Sequence, residues 1–185
     1  MTIRRPDPRG TEPEREHDKT LETAAVWIRP FVSVDQTPVR ALVTRVLGEF
    51  GLELDPRGTD GDLDDIEYAY RRGGGEFWIV ESAGGWIVGT CGVWPDPSDR
   101  ALCELRKMYL DPSLRGRGMG GQLLDIALDH ARSAGFRRME LETHHTMTAA
   151  IALYEGAGFT EMPVESTCAA RCDRRFGMDL ETPAA

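Results

Sequence analysis

Residues 115–121 read RGRGMGG, between KMYLDPSL and QLLDIALDHARSAG. Glycine weakens helices and strands alike, so this run must be a turn. The segment before it reads as a strand. After it, Leu123, Leu124, Ala127, Leu128 and Ala131 recur with helical period. A strand, a bare turn and a helix entrance together make a general anion site. The first N–H groups of a helix lack acceptors within it, and the helix dipole favours negative charge there. Arg115 and Arg117 add charge-assisted donors. Two nucleotide patterns are excluded. No GxxxxGK[ST] is present, and GRGMGG is G-x-G-x-G rather than GxGxxG.

The rest of the chain supplies the elements around that turn. AVWIRPFV (25–32) reads as a strand, and Val39, Leu42, Val43, Val46, Leu47 and Phe50 recur at helical spacing after Pro38. A second helix is expected from Asp62 to Arg72, stopped by GGG at 73–75. The period then changes. EFWIVES and WIVGTCGVW form a hairpin around AGG, and ALCELRKMYL is a further strand. RRMELET reads as a strand, TAAIALYEGAG as a helix, and FTEMPV and CDRRFGMDL as a closing strand pair. The order β-α-α-β-β-β-α-β-α-β-β is that of one mixed α/β domain, residues 24–185. Residues 1–23, rich in Pro, Gly and mixed charge, are expected to be a disordered tail.

Charge and cysteines narrow the partners. A net charge of −9 argues against nucleic acid or an anionic membrane surface as the partner. No apolar run is long enough to span a bilayer, and the first twenty residues lack the apolar stretch of a secretory signal. Cys91, Cys103, Cys168 and Cys172 show no metal-site spacing, and a cytoplasmic location with reduced thiols is expected. Cys91 and Cys103 are possible neighbours across a hairpin.

Two motifs then resemble those of the GNAT N-acetyltransferase superfamily. Arg115, Gly118 and Gly120 match its Arg-x-x-Gly-x-Gly cofactor motif, preceded by a matching strand end, MYLDP. AIALYEGAGF (150–159) matches its A-x-x-L-Y-x-x-x-G-F hallmark. The resemblance covers about residues 25–181. It implies a mixed, mostly antiparallel seven-stranded sheet, with the fourth and fifth strands splayed through a bulge, and about four helices. It also implies acetyl-CoA as co-substrate. The pyrophosphate would rest on backbone N–H groups of Gly116, Arg117, Gly118, Met119, Gly120 and Gly121. The pantetheine arm would run along Met108, Tyr109 and Leu110, where a main-chain N–H would bind the thioester oxygen. Many members carry an asparagine where Met147 stands, so main-chain contacts, Thr146 or Thr148 would serve there instead.

Amine acetylation needs a base for the acceptor ammonium and an acid for the leaving thiolate. The resemblance makes Tyr154 the acid. Glu104 and Glu142 compete as base, each matching the base of a different branch of the superfamily. Alternation places Glu104, Arg106 and Met108 on one face of their strand, and Glu140 and Glu142 on one face of theirs. Glu104 is favoured, and a pairing of Glu104 with Arg106 is the structural alternative. THHTM (143–147) invites a metal reading, but no third ligand sits at standard spacing, so no metal is expected; His144 or His145 remains an alternative base.

The acceptor side is implied to be DPRGTDGDLDDIEYAY and ESTCAARCDRR. The first carries Asp60, Asp62, Asp64, Asp65 and Glu67, either as a helix N-terminus or as a patch for a cationic substrate. Arg171 and Asp173 are the acceptor-binding candidates, suited to an amino-acid-like molecule. The expected activity is transfer of an acetyl group to a primary amine by direct attack in a ternary complex. A non-catalytic acyl-CoA-binding module and a protein N-terminal or lysine acetyltransferase are the alternatives. A homodimer is possible by analogy with the family.

Overall fold

The computed structural model describes residues 25–164 and 171–180. The expected tail and Cys168 therefore lie outside the described residues. Among the described residues, seven strands and four α-helices follow one another in the expected order. They are β1 (Val26–Pro30), α1 (Gln36–Glu49), α2 (Ile66–Arg71), β2 (Glu76–Ser82), β3 (Ile87–Pro95) and β4 (Leu102–Leu110), then α3 (Met119–Ser133), β5 (Arg138–Thr143), α4 (Thr148–Gly156), β6 (Thr160–Met162) and β7 (Arg174–Asp179). The strands form one sheet in the order β1-β2-β3-β4-β5-β7-β6. Every neighbouring pair is antiparallel except β4 with β5.

Period-two alternation divides the core between the sheet's faces. On one face Trp78, Val80, Cys103 and Leu105 pack with Leu123, Leu124, Ala127 and Leu128 of α3 and Ile151 and Tyr154 of α4. On the other, Phe77 and Ile79 pack with Val39, Leu42, Val43, Val46 and Leu47 of α1 and Ile66 and Tyr70 of α2. The second helix is shorter than the sequence suggests. A 3-10 turn at Gly61–Asp64 precedes α2, and Asp65 between them leaves helical geometry, its side chain accepting from the Tyr68 N–H. Cys91 and Cys103 are buried free thiols, and they are not cross-strand partners, since Cys103 stands opposite Pro95. No helix among the described residues is long and apolar enough to cross a membrane.

Candidate active site

The sheet opens between β4 and β5. Their parallel pairing covers Leu102–Arg138, Cys103–Met139 and Glu104–Glu140, and stops there. The other edge of β4 stays on β3 to Leu110, across a bulge. Gly92 pairs with Arg106 and Thr90 with Tyr109, so two residues of β4 face one of β3. Lys107 takes the extra place with a left-handed φ of 52°, and its carbonyl accepts from Thr90 Oγ1 at 2.7 Å.

The bulge resets which face each residue takes. The expected alternation of Glu104, Arg106 and Met108 fails at its last member. Met108 packs against the α3–α4 core, while Tyr109 joins the α1–α2 side. One extra residue reverses a period of two.

A cleft lies at the divergence. Glu104 and Tyr109 from β4, Glu142 from β5, Tyr154 and Ala150 from α4, and Met147, His144 and Arg171 line it. Three separate elements thus deliver the three expected catalytic residues to one space. Burial raises the Glu104 carboxyl pKa, Arg106 opposes that rise, and Glu142 adds to it. Arg106 Nη2 lies 2.6 Å from Glu104 Oε2, so the pairing foreseen as an alternative is present within the site itself. Its guanidinium also stacks on Trp94, 3.8 Å from the ring centroid. Burial pushes the Tyr154 hydroxyl above the ordinary phenol range, which keeps it a neutral donor. Glu142 stands opposite Arg175 on β7.

The acidic loop divides: Asp64, Asp65 and Glu67 are exposed, while Asp60 and Asp62 turn inward. Asp60 is buried and the Asp62 side chain is only 4% exposed, and both serve as counter-ions. Lys107 Nζ reaches Thr59 O at 2.9 Å, Asp60 Oδ1 at 3.0 Å and Asp62 Oδ1 at 3.1 Å. Arg171 holds Asp60 with both Nη atoms, and Tyr70 donates to Asp62 Oδ2 at 2.6 Å. Burial alone would raise the Asp60 pKa, but Arg171 and Lys107 outweigh it and hold it at about 2. Asp64 pairs with Arg40, and Glu67 with Arg71. Sequence reasoning missed this cluster. Its visible sign was Lys107 next to Arg106 in a strand offering one carboxylate, Glu104, so that a second buried cation needs partners from elsewhere.

The glycine turn sits at the end of β4. Gly116 and Gly118 have φ of 71° and 79°, and Gly118 is the N-cap of α3. A Cβ at Gly116, Gly118 or Gly121 would meet nothing within 4 Å, so this surface is open to a ligand. A Cβ at Gly120 would lie 3.2 Å from Leu153 of α4, so this glycine serves packing. Met119 is partly buried against the core. Arg115 places Nε and Nη2 on Leu110 O, at 3.1 and 2.9 Å, and Nη1 on Glu49 at 2.7 Å. It straps the end of β4 to α1. Arg117 is exposed, 3.4 Å from Ser113 O. The open backbone, the helix entrance and the free edge of β4 together fit a long ligand bearing a phosphate group and an amide-rich arm.

Met147 stands just before α4 and takes a contact from Thr143 Oγ1 to its sulfur at 3.7 Å. Arg171 lines the cleft. Asp173 instead meets His145 at the rim, Oδ2 to Nδ1 at 2.5 Å; desolvation raises its pKa, but the hydrogen bonds and charge of His145 together outweigh that and lower it.

The acetyltransferase (GNAT) family model matches residues 40–159. The chain belongs to the GNAT family. It is 36% identical over 142 residues to the uncharacterized N-acetyltransferase YjgM of Escherichia coli K12, which covers 75% of this chain and 84% of that one. Among solved structures, a GNAT acetyltransferase from Staphylococcus aureus Mu50 superposes with TM-score 0.78 at 24% identity, over 85% of this chain and 100% of that one. The Salmonella typhimurium acetyltransferase yncA, solved with acetyl-CoA, gives 0.67 at 21% identity, over 87% and 97%. These structures share the fold, and this GNAT chain is an acyl-CoA N-acyltransferase by its family.

Proposed function

We propose that the protein transfers the acetyl group of acetyl-CoA to a primary amine, with Glu104 as base and Tyr154 as acid. The observation that carries this reading is the convergence of Glu104, Glu142 and Tyr154 on one cleft beside the open glycine turn. Acetyl-CoA, the ligand of the yncA structure, supplies an activated thioester. The backbone of Gly116–Gly121 would hold its pyrophosphate, and the edge of Met108–Leu110 its pantetheine arm. Glu104 Oε1 or Oε2 takes the proton of the entering ammonium, directly or through water. Burial raises the Glu104 pKa, Arg106 opposes the rise and the charge of Glu142 adds to it, so Glu104 is a stronger base than a solvated carboxylate. The Tyr154 hydroxyl hands its proton to the departing sulfur. Glu142 is the second basic group in the same cleft.

The acceptor is a small amine or an amino-acid-like molecule that enters past Arg171. The internal use of Asp60 and Asp62 supports this over a polycation, since neither carboxylate is exposed to receive one. A cytoplasmic location suits the co-substrate. Thiol release from acetyl-CoA should be followed with amino acids, polyamines, aminoglycosides and peptides as acceptors. Turnover with amino acids or small amines is expected. Acetyl-CoA binding without turnover on any acceptor would leave an acyl-CoA-binding module instead.

A further inference from the structure

THHTM lacks a third ligand along the chain, but the fold brings one from another strand. Thr143 at the end of β5 pairs with Arg174 at the start of β7, which sets Asp173 beside the turn at 144–146. The Asp173 N–H donates to Thr143 O at 3.1 Å. The His145 N–H in turn donates to Asp173 Oδ1 at 2.8 Å, leaving Oδ2 directed at His145 Nδ1. The rings of His144 and His145 lie 4.3 Å apart, and His144 Nδ1 is engaged by Thr146 Oγ1 at 2.8 Å, which leaves Nε2 for another partner.

One ligand atom from each of His144, His145 and Asp173 lies within 4.8 Å of the others. Ligand atoms around a tetrahedral zinc are separated by about 3.3 Å, given bonds of roughly 2.0–2.1 Å. His145 Nδ1 and Asp173 Oδ2, hydrogen-bonded at 2.5 Å, would part by about 0.8 Å to reach that spacing, and their side chains, 61% and 48% exposed, have room to turn. Two imidazole nitrogens and one carboxylate oxygen select a first-row transition ion over magnesium or calcium. Outer partners of the kind seen at His144 Nδ1 and Asp173 Oδ1 are what orient metal ligands.

We propose that His144, His145 and Asp173 bind a divalent transition metal ion such as Zn²⁺ at the rim of the cleft. Three protein ligands leave one coordination position for water. His144 also lines the cleft, so the ion would fix this wall and set positive charge beside the entrance. Binding is measured directly, so this inference stands or falls separately from the acyl-transfer reading.

The test uses the full chain, stripped with chelator and titrated with Co²⁺. One ion per chain is expected, with visible d–d absorption that Zn²⁺ abolishes. Asp173→Asn and His145→Gln should each weaken binding by at least about tenfold, and Thr146→Val, which keeps all three ligands, by about tenfold. A rise in Tm on adding Zn²⁺ to the parent, absent in Asp173→Asn, provides a second measure. No d–d band in the parent, equal affinity in the ligand variants, or an intense thiolate charge-transfer band pointing to cysteine ligation would overturn the site.

Discussion

At the residue scale, the cleft gives the proposed acid and base different surroundings. Tyr154 is buried and stays neutral, while Glu104 is partly buried beside both an arginine and a second glutamate. Tyr154→Phe is expected to lower kcat by about 10²-fold with little change in the KM for acetyl-CoA, since only the proton is removed. Steady-state kinetics checks it. Glu104→Gln should abolish the acidic limb of kcat/KM, while Glu142→Gln should keep that limb and move it to lower pH. Arg106→Gln should move it to higher pH, because the cation that opposes the rise in the Glu104 pKa is gone. Pairing the three pH profiles decides between the glutamates. The family resemblance singles out Tyr154 and both glutamates in the sequence, and the structure brings the three to one cleft. Lys107 was not legible there, because its meaning depends on Asp60 and Asp62, more than forty residues earlier in the chain.

At the element scale, the bulge in β4 is the feature that alternation could not supply. The sequence shows Glu104, Arg106 and Met108 in step, and nothing in KMY announces an extra residue. Its cause is tertiary: Lys107 is drawn toward Asp60 and Asp62, and Thr90 satisfies the carbonyl left out of the ladder. Lys107→Met should therefore cost about 3–5 kcal/mol in urea unfolding, because two buried carboxylates lose their shared cation. A finer comparison separates charge from backbone. Lys107→Gly should be about 1 kcal/mol more stable than Lys107→Ala, since both lose the ammonium but only alanine keeps a Cβ at positive φ. The α3 entrance is the reverse case, legible from RGRGMGG alone. Gly118→Ala meets no clash, so its cost, about 1–2 kcal/mol, would come from the left-handed backbone. Acetyl-CoA affinity should fall with it, measurable by calorimetry.

At the scale of the whole molecule, the order of all eleven elements followed from periodicity and breakers, and their placement in one split sheet from the family resemblance. The buried ion cluster then ties stability to acid. Asp60 has a folded pKa of about 2 against an ordinary 3.8. A lowered folded pKa contributes stability above the unfolded value and loses it as pH falls through the folded one. Between about pH 4 and pH 2 the protein should therefore lose about 2 kcal/mol through this group. Thermal melts across that range, with Asp60→Asn as the flat reference for this share, check the assignment.

The parting of β4 from β5 has one more consequence. Beyond Glu104 and Glu140 the sheet contains a seam with raw edges on both sides, the kind of surface that elsewhere recruits foreign strands. A ligand arm lying there, as proposed, would act as a missing strand and close the sheet. Resistance to aggregation and slow amide exchange along 105–110 and 141–143 then become properties of the loaded protein. The supply of acyl-CoA would set how much of the protein is robust as well as how fast it turns over.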